Sequence, residues 1–396
     1  MSTAVIIVIC LLMLFAYLFD VSSSKTKIPS VILLLLLGWG VKQATVFFKI
    51  SVPDLTPILP VLGTIGLILI VLDGSLELEM NKSKIKIIGA SSWTAIIQML
   101  LISLSLGYAF SYFGGTTFKT GLINAIPLSI ISSAIAIPSA KNLSVHNREF
   151  ITYESSLSDI FGVIFFNYIA LNDNLNTETF GIFLVQFLLM IFVSLISTLC
   201  LAYLIGKIKH HIKFTPIILI IILIYTVSKL YHLPSLIFIL IFGLFIGNID
   251  KLKRIKIVAN LKPEILNLEV QKFKEITSEL TFMTRALFFL LFGYLIETAE
   301  LLNTDTVIWA ILITAAIFSI RTIFLRIFRL ALSPLLYFAP RGLITILLFL
   351  SIPAGQYLET ANKSLILQVI ILTALVMMFG LIKHKNRELD QKADSK

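Results

Sequence analysis

Six ionisable side chains in this chain lie in or at the edge of long apolar runs: Asp73, Glu154, Asp159, Arg285, Arg321 and Arg341. An ionisable group near the centre of a lipid bilayer costs at least about 2.5 to 3.5 kcal/mol on insertion scales, so it persists mainly where it pairs or serves a water-filled path. These six are therefore the candidate machinery. Asp159 is the sharpest case, because it sits inside the run Leu157-Ser158-Asp159-Ile160-Phe161-Gly162-Val163-Ile164-Phe165-Phe166. Burial disfavours its ionised form, so a proton and a monovalent cation can compete for it, and competition at one site is enough to couple two fluxes. Glu154, five residues earlier, points about 140° away around a helix and does not share that site; it is placed to pair with an arginine. Arg285 is open to two readings, a part in transport or a side chain snorkelling near a helix start.

Two apolar runs are interrupted. One holds Ser132-Ser133-Ala134-Ile135-Ala136-Ile137-Pro138-Ser139 and the other Ala339-Pro340-Arg341-Gly342. Proline beside small or polar residues unwinds a helix, and unwound backbone at membrane depth is tolerated only beside a cavity or packed protein, where its carbonyls and half-helix ends suit ions. The interruptions fall in the fifth and twelfth predicted spans. An odd offset of seven means that they cross the membrane in opposite directions, as an inverted-topology repeat requires.

The elements that must position these residues are membrane helices. Of 396 residues, 58% are hydrophobic and 14% charged, and the mean hydropathy is +0.97, which excludes an ordinary globular domain. Apolar windows of a length that crosses a bilayer predict thirteen spans. They lie near residues 4–19, 29–41, 55–73, 85–113, 119–140, 152–171, 180–206, 214–229, 233–249, 279–298, 306–325, 335–357 and 364–382, followed by a short tail, 383–396. The net charge of +10 does not signal nucleic acid, because its lysines and arginines cluster between spans. With thirteen spans, 24 of the 32 basic residues fall on one side, five on the other and three within spans. By the positive-inside rule the C-terminus is cytoplasmic and the N-terminus outside, in a multi-pass protein of the cell (inner) membrane.

Smaller features follow the same logic. The polar stretch Asp250 to Leu280 is expected to form an amphipathic helix on the cytoplasmic surface. Gly243-Leu244-Phe245-Ile246-Gly247 has the small-xxx-small spacing of close helix packing. Cys10 and Cys200 lie in apolar runs and read as buried packing, not as a disulfide framework. The five histidines show no metal-ligand spacing, and there is no His-Glu-x-x-His, Gly-x-Gly-Asp or nucleophile-elbow pattern. An enzyme is therefore not expected, and no cofactor is called for.

At this point the residues resemble the monovalent cation:proton antiporter superfamily, in its NhaP-like sodium/proton exchanger branch, over nearly the whole chain. Leu72-Asp73-Gly74-Ser75-Leu76-Glu77-Leu78 is similar to the family's acid-Gly-Gly-Leu-x-Leu end of span three. Glu154-Ser155-Ser156-Leu157-Ser158-Asp159 is similar to its Glu-Ser-Leu-Leu-Asn-Asp, the most specific of the matches. Arg321 matches the arginine that neutralises the family glutamate, here Glu154, and Arg341-Gly342-Leu343 resembles the family's Leu-Arg-Gly-Ala segment. The resemblance implies an all-α fold of about thirteen membrane helices, with an inverted repeat and two broken helices crossing at the site. It also implies a homodimer whose core helices, about 85–171 and 306–382 of the membrane domain 1–382, move against a dimerisation scaffold. Two departures stand out: Ser158 replaces the asparagine before the essential aspartate, and the family's Thr-Asp-Pro appears as Ala136-Ile137-Pro138, without its acid.

The expected function is exchange of a monovalent cation, sodium first with potassium or lithium as alternatives, for protons in pH homeostasis. The cation is expected at Asp159, assisted by Ser155, Ser158, carbonyls near Ala136, and Asp73 through water. Glu154 and Arg321 are expected to form a structural ion pair, and Arg341 to be the broken-helix charge. With one transport carboxylate, electroneutral stoichiometry is expected. The alternatives are a potassium efflux transporter or channel, and a small organic-anion transporter on the same fold.

Overall fold

The structure, a computed structural model, describes residues 2–26, 28–79, 84–172, 176–208, 210, 212–231, 233–252 and 263–394. The described residues form helices joined by short connections and contain no strand: α1 (Ser2–Thr26), α2 (Ser30–Phe47), α3 (Ile58–Glu77), α4 (Ile85–Gly114), α5 (Phe118–Ser129), α6 (Ser133–Ser139), α7 (Val145–Leu171), α8 (Thr177–Lys207), α9 (Phe214–Leu230), α10 (Leu236–Gly247), α11 (Pro263–Tyr294), α12 (Thr304–Ile327), α13 (Leu343–Leu350) and α14 (Lys363–Asp394). Among the described residues nine spans are long and apolar enough to cross a membrane, the α5–α6 stretch counting as one. Two shorter apolar helices, α9 and α10, the interrupted segment that ends in α13, and α7 bring the number to the thirteen read from the sequence. Helix α7 is long enough to span, and Glu154, Asp159 and its serines lower its apolar character. Leucine, isoleucine and phenylalanine side chains such as Leu14, Phe192 and Leu219 remain exposed on the outer faces, where lipid rather than water is the solvent.

The helices fall into two compact units. The first comprises Met1–Gly63, Ser91–Gly162 and Met283–Lys396. Within it α1 packs on α2 and α6, α5 on α13, and α12 on α14. Close approach depends on glycine: a Cβ at Gly121 would lie 2.3 Å from the Gly107 carbonyl oxygen, which brings α5 and α4 backbone to backbone.

The second unit comprises Thr64–Ala90 and Val163–Phe282. Here α8, α9 and α10 pack on one another, and α10 lies on α3 through the small-xxx-small pair. A Cβ on Gly243 would overlap the Ser75 side chain, and one on Gly247 would stand 2.5 Å from the Leu76 carbonyl oxygen. Asn248 Nδ2 donates to the Leu78 carbonyl at 2.8 Å, closing the end of the same contact.

Four expectations need correction. The polar stretch 250–280 is not a separate surface helix: residues 253–262 lie outside the described residues, and from Pro263 the chain runs as one helix, α11, to Tyr294. Leu266, Val270, Phe273, Thr277 and Thr281 form one buried stripe at helical spacing, so the polar and apolar halves are in phase and no breaker separates them. In the fifth span the break falls at 130–132, sharing only Ser132 with the stretch expected to unwind, while Ser133–Ser139 stays helical; Ile131 and Ser132 give their amides to partners outside their own helix. In the twelfth, the unwinding expected at Ala339–Gly342 is present, but the half before it is only a single turn, Leu335–Tyr337. Cys10 and Cys200 are both exposed rather than buried, small apolar side chains on outward-facing positions.

Candidate functional site

The site is built where the two interruptions meet. Ile130 leaves α5 in extended conformation (φ −87°, ψ 131°), and Ser132, similarly extended, opens α6. The Ser132 amide donates to the Pro340 carbonyl at 2.9 Å, so the two breaks are joined main chain to main chain. Gly342 follows at closest approach: a Cβ there would lie 2.6 Å from Ser132 Oγ, which explains the glycine after Arg341.

Asp159 reaches this crossing from α7. Its side chain is about 1% exposed, and its Oδ2 accepts the Ser133 amide at 3.3 Å and a hydrogen bond from the Ser133 hydroxyl. Its Oδ1, equally buried, makes no hydrogen bond among the described residues. One carboxylate oxygen is thus held by the first residue of α6, and the other keeps its lone pairs for a proton or a cation. A buried carboxylate with an open acceptor is costly, and that cost is expected where a ligand binds. Ser158 lies beside it and accepts the Ile131 amide at 3.0 Å, holding the extended residues between α5 and α6.

Two arginines are completely buried, and they are satisfied differently. Arg321 of α12 forks onto Glu154 at 2.7 and 2.8 Å, reaches Gln98 Oε1 at 2.9 Å, and gives its Nε–H to the Leu335 carbonyl at 2.9 Å. Four acceptors from three other elements converge on one guanidinium, a charge-assisted cluster that offsets burial of both ions. Arg341 has no carboxylate partner in the described hydrogen bonds. Its Nε–H donates to the Leu128 carbonyl at 2.6 Å and its Nη1 to the Ala339 carbonyl at 3.2 Å, while Nη2 makes no bond among the described residues. Leu128 is in the last turn of α5, whose carbonyls lack helical donors and form the negative pole of the helix. The Arg341 charge therefore caps a half-helix. Its own amide is anchored by Thr373 Oγ1 of α14 at 3.1 Å.

The remaining candidates are placed elsewhere. Ser155 is buried, but its hydroxyl donates to the Ile151 carbonyl of its own helix at 2.8 Å. The Ala136 carbonyl accepts the Ala140 amide at 3.0 Å within α6. Asp73 is partly buried on α3, in the second unit. Among the described residues no group of three or more histidine, cysteine, aspartate or glutamate side chains could hold a metal. Sequence reasoning missed Ser133, whose signal was the Ser132-Ser133 pair opening the interrupted stretch, and Gln98, a lone amide in α4. It also missed Asp20, near the end of the first span, which pairs with Arg285 at 3.1 Å. Arg285 is thus no snorkelling residue: it lies well inside α11, 11% exposed, turned into protein.

An all-helical membrane chain whose two interrupted helices are joined beside a buried carboxylate has the architecture of a secondary transporter. The sodium/hydrogen exchanger transmembrane family matches residues 10–382, and the chain belongs to it; it is a cation/proton antiporter rather than an enzyme. The fold is similar to the structure of the sodium proton antiporter MjNhaP1 from Methanocaldococcus jannaschii at pH 8, with a TM-score of 0.71 and 19% identity over 95% of this chain and 99% of that one. It is likewise similar to the electron-microscopy structure of MjNhaP1, with a TM-score of 0.68 and 18% identity over 96% and 95%. No curated protein sequence matches the chain significantly.

Proposed function

We propose that this antiporter exchanges one monovalent cation, sodium in the first instance, for one proton, and that both ions compete for Asp159. The observation that carries the reading is the asymmetry of that carboxylate: Oδ2 is held by Ser133, and Oδ1 is buried and open. A proton on Oδ1 neutralises the buried charge; a sodium ion does the same while drawing its other ligands from nearby hydroxyls, carbonyls and water. The description of the solved relatives as sodium proton antiporters supports sodium as the first cation to test. Potassium and lithium come next, because α6 carries Ile137 where the resembled family has an acid.

With a single carboxylate at the crossing, each cycle carries one positive charge each way and is electroneutral. Ser158 holds the extended segment, and Glu154 with Arg321 ties α7 to α12 so that these helices can move as one body. In this reading helices about 85–171 and 306–382 form the moving core of membrane domain 1–382 and the rest a dimerisation scaffold, in a homodimer of the cell membrane. The basic loops and the tail 383–396 face the cytoplasm, the N-terminus lies outside, and the work is pH homeostasis. Ser155 and the Ala136 carbonyl contribute as secondary ligands or through water during the cycle.

The test is dissipation of a pH gradient in everted vesicles with sodium, lithium and potassium added in turn, native chain against Asp159→Asn. Dissipation that needs a particular cation and disappears in the variant is the expected result and identifies the ion. A native chain that responds to no cation would sink the reading, and organic acids would then be tried, given the charge on Arg341.

A further inference from the structure

Pro138 is the fourth residue after Ala134 and lies inside α6, so the N–H that a helix would give to the Ala134 carbonyl does not exist. That carbonyl is served from outside. Arg285 of α11 donates to it from Nη1 at 3.3 Å, and from Nη2 pairs with Asp20 Oδ1 of α1 at 3.1 Å. Asp20 Oδ1 is also held by the Ser30 hydroxyl of α2 at 3.3 Å. Three helices thus converge, through one guanidinium, on the carbonyl of a seven-residue helix that Pro138 leaves without its helical donor. The residue just before Ala134 is Ser133, the donor of both hydrogen bonds to Asp159.

We propose that Arg285 is a positioning residue of the exchange site: oriented by Asp20, it occupies the acceptor that Pro138 leaves open in α6 and so keeps Ser133 in place to donate to Asp159. The proposal rests on the reading of Asp159 as the exchange carboxylate. Hydrogen bonds to an ionised carboxylate favour the ionised form, which is the form a cation binds. Loosening α6 therefore weakens cation binding more than it slows the loaded transporter.

The experiment is cation-dependent proton flux in proteoliposomes of the full chain, with cation half-saturation and maximal rate measured separately. The variants are Arg285→Gln, Arg285→Lys, Asp20→Asn and Pro138→Ala, together with Arg285→Gln and Asp20→Asn each combined with Pro138→Ala. Loss of a charge-assisted hydrogen bond predicts that Arg285→Gln raises the half-saturating cation concentration about tenfold, with maximal rate changed less than about twofold. Asp20→Asn acts in the same direction, and Arg285→Lys restores part of the loss. Pro138→Ala supplies the missing N–H, so in that background Arg285→Gln shifts half-saturation by less than about twofold, a coupling that an arginine serving only to hold α1 would not show. Equal shifts in the two backgrounds, or an unchanged half-saturation in Arg285→Gln, would overturn the proposal. Should Arg285→Gln fail to reach the membrane folded, the same comparison with Asp20→Asn decides. Absence of cation-dependent flux in the native chain, by contrast, would overturn the exchange reading itself.

Discussion

At the scale of single residues the chain contrasts two ways of burying an arginine. Arg321 is matched by Glu154, so its removal strands a carboxylate that is about 1% exposed. Arg321→Leu is expected to destabilise the protein by about 3–5 kcal/mol, whereas Glu154→Leu with Arg321→Met loses much less, since exchanging both partners for apolar groups leaves no orphan charge. Thermal unfolding in detergent, followed by loss of the monodisperse species, separates the two. Asp159 is the opposite case: it lacks a counterion in the described contacts and keeps one oxygen open. Its burial was legible in the sequence because the acid stands inside the apolar run Leu157–Phe166. Ser133 and Asp20 were harder to see. A serine in an apolar stretch bonds its own helix as readily as a ligand, and Asp20 stands so near the end of its span that a solvated position explains it equally well.

At the scale of elements, length and apolar character foretold nearly every helix, but where a helix breaks depends on partners distant in sequence. The chain unwinds at 130–132, where Ser158 and Pro340 offer replacement bonds, and stays helical around Pro138, which is the stronger breaker by composition. The contact of α10 with α3 was foreseeable from spacing alone, since Gly243 and Gly247 line one face of α10. It gives a direct test: Gly247→Ala places a Cβ 2.5 Å from the Leu76 carbonyl oxygen, backbone that cannot rotate away. A loss of about 1–3 kcal/mol is expected in the same unfolding assay. Gly40, where an added Cβ would meet nothing within 4 Å, is the control at which alanine should be nearly neutral.

For the whole molecule, the count of thirteen spans could be read because an error of one would scramble the distribution of basic loops, a constraint that acts on the entire chain at once. Division into two compact units, with α3, α4, α7 and α11 each contributing residues to both, could not be read, because apolar runs look alike whichever neighbour they meet. The prediction that belongs at this scale concerns charge movement. If one proton replaces one cation at Asp159, the flux in proteoliposomes carries no current and its rate does not change when a potassium diffusion potential is imposed. A steady cation-dependent current of either sign would show a different stoichiometry.

The hydrogen bond from the Ser132 amide to the Pro340 carbonyl has a consequence for how such a protein can change over time. It is written in backbone, and every amino acid but proline carries the same donor, so exchanging the side chain at 132 or 340 leaves the bond's two atoms in place. The frame of the crossing is therefore insulated from the identity of the residues that decorate it. A side chain such as that of Ile137 can change its chemistry while the backbone bond beside Asp159 stays put.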